Sequence, residues 1–193
     1  MTPVIEKINH DLSNRYVELE REKLTRFMMA RASNRDLEIT DCRGARISAG
    51  LGFVYEGQLR SLYWSFIRPC LEDTIQECCD AVEKALPTYN RRDRAKTLDA
   101  LQGALNGFVG RIYRHIVDMD RRMRGKGDPT SVKPYDPASE ITYAREIIAH
   151  TIVILRRHYL PPAWQEFWAK YWHWIVGAVA VPVLGFIIRA LAG

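Results

Sequence analysis

Cysteine is scarce and badly placed for stapling a fold. The 193 residues include four, Cys42, Cys70, Cys78 and Cys79, and two of them are adjacent. Residues 1–30 carry charge throughout and hold no continuous apolar stretch. No secretory signal is therefore expected, and the thiols should stay reduced. No C-x-x-C or C-x-x-H spacing occurs, so zinc has no local support. The cysteines read as small apolar core residues. Glycine (12) and proline (9) are too few for a collagen-like or low-complexity chain. No internal repeat and no long heptad run is present, which leaves out solenoids and coiled coils.

Catalytic signatures are missing as well. There is no G-x-x-x-x-G-K-[ST], no G-x-G-x-x-G, no G-x-S-x-G and no H-E-x-x-H. The five histidines (10, 115, 150, 158 and 173) do not pair at i, i+4. His150, inside an apolar stretch, reads as a hydrogen-bonded core histidine. Asp118 and Asp120 cannot share a helix face at a spacing of two. The expectation is a protein that is not an enzyme, with no cofactor and no metal.

What is present is a chain able to fill a core: 47% hydrophobic and 26% charged, with a formal net charge of +5 and a pI near 9.1. The length suggests one domain with an appendage. A mild basic excess suits an anionic membrane surface or nucleic acid. The mean hydropathy of -0.23 conceals an uneven C-terminus. From Trp174 to Ile188 no residue is charged. With Trp172, His173 and the residues after Arg189, about 20 positions are available, about 30 Å of helix and enough for a bilayer core. Trp164, Trp168, Tyr171, Trp172 and Trp174 form a collar before it, where amphipathic rings favour the headgroup level. Lys170 lies in the collar, and Arg189 can snorkel. Pro182 would kink the span, which membrane helices tolerate. The alternative is a buried hairpin helix in a core. Gly177 and Gly185, near one face, permit helix association and a homo-oligomer.

The rest reads as helical. Apolar residues recur at spacings of three and four over residues 3–31, with Pro3 at the start. Residues 32–52 lose the period and are expected to be a loop; the LEIT stretch suits a strand but has no visible partner. The period returns over 53–86, split into two helices or kinked at Pro69, and again over 91–124. Gly103, Gly107 and Gly110 inside the third pattern point to close packing against another helix. Residues 125–137 read as a turn-rich linker. Pro137-Ala138-Ser139-Glu140 opens a fourth helix, and its stretch 147–155, apolar on all sides, should lie at the centre of the bundle. Pro161 and Pro162 break the chain before the collar. Two basic runs, 91–96 and 111–126, read as solvated helix faces, with anionic headgroups the next reading and nucleic acid not an expected partner. The predicted class is all-α: a cytosolic helical bundle over 1–160, then an aromatic collar and single-span C-terminal membrane helix over 161–193.

Three patterns, in order, give a resemblance. Leu71, Ile75, Cys79, Asp80 and Val82 lie in CLEDTIQECCDAV; FVGRI holds Phe108, Gly110 and Arg111; YLPPAWQEFW follows a long apolar helix. Together with a C-terminal anchor they resemble the Bcl family of apoptosis regulators. The first is similar to that family's death-motif helix, with Cys79 the small residue and Asp80 the acid. The second is similar to its Asn-Trp-Gly-Arg motif, with Gly110 and Arg111 matching, while Phe108 and Val109 replace the Asn and Trp. The family's Gly-Gly-Trp is absent. The resemblance implies a tail-anchored regulator on the mitochondrial outer or endoplasmic-reticulum membrane. It would take an amphipathic helix of a protein partner into a groove, with Arg111 as rim cation paired to the motif aspartate. The charges over 111–124 suit bilayer insertion poorly, which favours an inhibitor of death. A membrane-anchored adaptor of bacterial or viral origin and a holin- or toxin-like membrane disruptor are the other readings.

Overall fold

Periodicity of three and four sets the architecture. The computed structural model describes residues 2–24, 37–40, 43–44, 46–49, 66–124, 134–162, 164–165, 167–174, 176 and 178. These form α1 (Pro3–Glu18), continued by a π-helical turn (Leu19–Leu24), strands β1 (Leu37–Thr40) and β2 (Arg46–Ala49), then α2 (Arg68–Ala85), α3 (Arg91–Arg124) and α4 (Ala138–Tyr159). Among the described residues the fold is all-α apart from the one hairpin.

Pro3 and Pro69 each occupy the first turn of a helix, where a missing N–H leaves no bond unmade. Pro69 thus marks the start of α2. Asn90 caps α3 reciprocally: its Oδ1 accepts the Asp93 N–H at 2.9 Å, and its Nδ2 donates to the Asp93 carboxylate at 2.6 Å. The helix then runs unbroken for 34 residues.

Four stripes meet in one core. Ile5, Ile8 and Leu12 come from α1, and Leu71, Ile75, Cys78, Cys79 and Val82 from α2. Leu98, Leu101, Leu105, Phe108, Ile112 and Ile116 come from α3, and Ile148, Ile152 and Leu155 from α4. Cross-links fix the directions. Thr2 and Thr97 hydroxyls lie 3.2 Å apart, and Arg111 sits over the Tyr16 ring, so α1 and α3 run the same way. Tyr143 donates to Glu72 at 2.8 Å and Tyr159 to Glu83 at 3.3 Å, so α2 and α4 run together in the opposite sense.

Several expectations need correction. LEIT does have a partner: β1 pairs antiparallel with RISA of β2, Leu37 opposite Ala49 and Thr40 opposite Arg46. Gly44 in the connection has φ of 83°, a left-handed conformation that disfavours any residue with a Cβ. The first helix is α-helical only to Glu18 and becomes π-helical over Leu19–Leu24; residues 25–31 of the predicted helix lie outside the described residues. Segment 147–155 is not central. Ile148, Ile152 and Leu155 are buried, but Val153 and Ile154 are about half exposed, and His150 is exposed rather than a core histidine. The reason is that, among the described elements, α4 packs against α2 and α3 on one side only.

The helix glycines are not close-packing devices. A Cβ added at Gly103, Gly107 or Gly110 would meet nothing within 4 Å. The Gly103→Ala/Gly107→Ala double variant is therefore expected to gain about 1–2 kcal/mol from reduced chain entropy. A rise in the urea midpoint at constant slope is the measurement.

Candidate membrane-contact site

The site starts where three helix ends converge. The last carbonyls of a helix lack intrahelical partners and carry negative dipole charge. Arg94 collects several of them. Its Nε donates to Leu86 O at 3.0 Å and to Tyr89 O at 2.8 Å; its Nη1 reaches Tyr159 O and its Nη2 Pro87 O, each at 3.4 Å. One guanidinium thereby ties the end of α2 and the end of α4 to the start of α3. Arg91 donates to Pro161 O at 2.8 Å. The basic run at 91–96 is not simply a solvated face, because two of its arginines hold backbone.

Beyond Pro161–Pro162 the described residues between 164 and 178 are helical. Gln165 N–H bonds Pro162 O at 2.9 Å, closing the first turn. This segment carries four of the five tryptophans of the chain. Trp164 is 62% exposed and Trp174 78%. Phe167, Trp168, Tyr171 and Trp172 are exposed too. Rings stack at i, i+4: Phe167 on Tyr171 with centroids 4.8 Å apart, and Trp168 with Trp172 at 6.2 Å. Lys170 Nζ lies 5.5 Å from the Tyr171 ring. Aromatic rings each bring 150–250 Å² of mostly apolar area, about that of a buried core ring, so water is a poor environment for this surface. Pro182 and Arg189 of the predicted anchor lie outside the described residues. Among the described residues no helix is long and apolar enough to cross a membrane.

The residues that carry the family resemblance divide between the core and the surface of the bundle. Leu71, Ile75, Cys79 and Val82 are buried in the core of this bundle, as is Phe108. Asp80 accepts from Gln76 Nε2 at 2.7 Å. Arg111 lies 5.5 Å from the centroid of the Tyr16 ring. Asp80 and Arg111 do not pair with each other within the chain; each is engaged with a neighbour. Gly110 is half-buried and faces open space. The cleft beside α2 has a volume near 330 Å³ and is lined by Ile8, Leu12, Arg15, Glu77 and Cys78. An Arg15–Glu77 ion pair crosses its rim.

Cys70, Cys78 and Cys79 are buried. Burial pushes the Cys78 thiol up to about 11 and the Cys79 thiol up to about 12. Both are therefore protonated and inert near neutrality. Cys42 lies outside the described residues. No group of three or more His, Cys, Asp or Glu side chains among the described residues could hold a metal ion.

One polar cluster had no signal in the sequence. Arg43, in the hairpin connection, forks onto Asp73 of α2 with Nε and Nη2 at 2.9 and 2.7 Å. Next to it Arg68 donates to Glu72 at 2.8 Å, and Tyr143 of α4 donates to the same carboxylate. A two-stranded hairpin is marginal alone, so this contact docks it on the bundle. The Arg43 hydrogen bonds hold the Asp73 carboxyl below its usual range. Burial opposes ionisation of Glu72, but hydrogen bonds from Arg68 and Tyr143 outweigh it and keep that carboxyl low as well. Both groups are ionised more easily in the folded chain than in the unfolded one. Their contribution is complete above the unfolded carboxylate range near pH 4 and is lost as pH falls through the folded values. The native hairpin should therefore become a protease target in acid before the bundle melts. Asp73→Asn should show the same cleavage at neutral pH, with little further change on acidification.

No family model matches the chain, and no curated protein or solved structure matches it either.

Proposed function

We propose that the protein is a membrane-anchored, non-catalytic helical interaction module. Its bundle is held at the bilayer by the aromatic segment and the uncharged stretch after it. The supporting observation is the exposed row of Trp164, Phe167, Trp168, Tyr171, Trp172 and Trp174, which projects from a bundle whose own core is already filled. Headgroup-level lipid accommodates such rings, apolar body inward and polar edge outward. The cytosolic-side placement of the bundle rests on the Lys and Arg content of the chain before the span.

The adaptor reading is preferred to the apoptosis regulator. A death-motif acceptor would need a free apolar groove with Arg111 at its rim. Here the candidate stripe is spent in the core, and Arg111 is stacked on Tyr16.

Intrinsic fluorescence tests the proposal, because four of five tryptophans lie in the segment concerned. The full chain reconstituted in vesicles should be quenched by lipids brominated near the headgroup and should survive an alkaline carbonate wash. Extraction by carbonate with unquenched emission would remove the anchor. Release of an entrapped dye would point to the membrane-disrupting alternative.

A further inference from the structure

The helix directions decide which end of the bundle meets the membrane. The chain leaves α4 at Tyr159, and the aromatic helix is under way at Trp164. Residues 160–163 span at most about 14 Å even when fully extended. Arg91 holds Pro161 O, so the exit point is fixed against the start of α3. The end of the bundle built from the N-termini of α1 and α3 and the C-termini of α2 and α4 must therefore lie beside the collar. At about 1.5 Å per residue, α3 carries its far end about 50 Å away.

That near end is unevenly charged. Lys84, Arg92, Lys96 and Arg157 are exposed. None of the four makes an ion pair or hydrogen bond among the described residues. Three of the neighbouring acids are committed internally: Glu83 accepts from Tyr159, Asp93 is bound by Asn90, and Asp99 pairs with Arg156, while Glu6 in the first turn of α1 is exposed. At the far end Arg121 is paired to Asp118, while Arg21, Arg122 and Arg145 are exposed with no ion pair or side-chain hydrogen bond among the described residues. Exposed cations stand at both ends, and the tether decides which of them lie within reach of headgroups.

The geometry points to a second lipid contact: the end face carrying Lys84, Arg92, Lys96 and Arg157 binds anionic phospholipid headgroups and stands the bundle upright on the bilayer. This rests on the membrane-anchor reading. The anchor supplies attachment, and the cations supply orientation. Each Lys or Arg near an anionic surface weights the upright state by about fivefold. The weighting is screened within a Debye length and so is sensitive to salt.

The test uses the full chain in vesicles of phosphatidylcholine, with or without phosphatidylglycerol, containing a lipid with a nitroxide on its headgroup. A fluorescent amino acid is placed either at Thr88, on the near end, or at Ala138, on the far end; both positions are exposed. Thr88 should be quenched more strongly when phosphatidylglycerol is present, and Ala138 should not respond. K84E/R92E/K96E should return Thr88 quenching to the phosphatidylcholine level while the chain still resists carbonate. The neutral K84Q/R92Q/K96Q variant should do so too, at less expense to the fold. Equal quenching at both positions, or Thr88 quenching indifferent to lipid charge and to both variants, overturns the end-face contact alone. A wild-type chain that carbonate strips from vesicles overturns the anchor, and this contact with it.

Discussion

Replacing Phe108 by alanine is expected to destabilise the bundle by about 3–5 kcal/mol, the range for truncating a fully buried aromatic ring. Phe108 is fully buried, in the middle of α3, where Leu105 and Ile112 flank it one turn away on the same stripe. A domain of this size is stable by about 5–15 kcal/mol, so the loss is a third or more of the total. Urea unfolding followed by circular dichroism reads it directly. The same experiment separates two roles for the residues that suggested a family. A partner contact on the surface would change stability by less than about 0.5 kcal/mol. Asp80→Ala should behave that way, since among the described residues its carboxylate is bound to Gln76 of its own helix alone. Arg111→Ala should cost about 0.5–1 kcal/mol from the lost stack on Tyr16. In the double variant the two effects should add within about 0.5 kcal/mol. A larger coupling would mean that Asp80 and Arg111 pair in solution.

Much of this fold is legible in the pattern of apolar residues. The stripe from Leu98 to Ile116 has nothing to interrupt it but glycine, and it forms a single helix. Pro69 and Ala138 mark helix starts because proline and its neighbours restrict φ locally. What escapes the sequence is whatever depends on distant partners. RISA has only one clear alternation and sits among glycines and arginines, so it signals a strand only once LEIT lies beside it. The apolar run 147–155 suggests burial all round, yet it is the number of neighbouring helices that decides burial. Val153 and Ile154 face away from the described helices that pack there. Arg94 looks like one cation in a basic run. Its role follows from four carbonyls contributed by two separate helix ends, and no spacing rule brings those together.

The collar is the opposite case. Its tryptophans are conspicuous in the sequence, and they are just as exposed in the fold. What they imply for the residues that follow can be decided with one substitution. From Trp174 to Ile188 the chain has no charge, and Val181 lies at the middle of that run. If the run spans a bilayer, Val181→Lys places an ammonium near the centre of the hydrocarbon and costs about 2.5–3.5 kcal/mol of insertion free energy. That is a shift of about 70- to 400-fold toward the uninserted chain. Carbonate-resistant protein should fall accordingly, while the urea midpoint of the bundle stays where it was. If the run instead packs as a hairpin in a protein core, the same lysine must be buried there, and the midpoint should drop with no change at the membrane. Val153→Lys provides the control. Val153 is exposed on α4, so a charge there should alter neither quantity by more than about 0.5 kcal/mol. The two lysine variants carry identical chemistry, and only the solvent that each position meets can separate them.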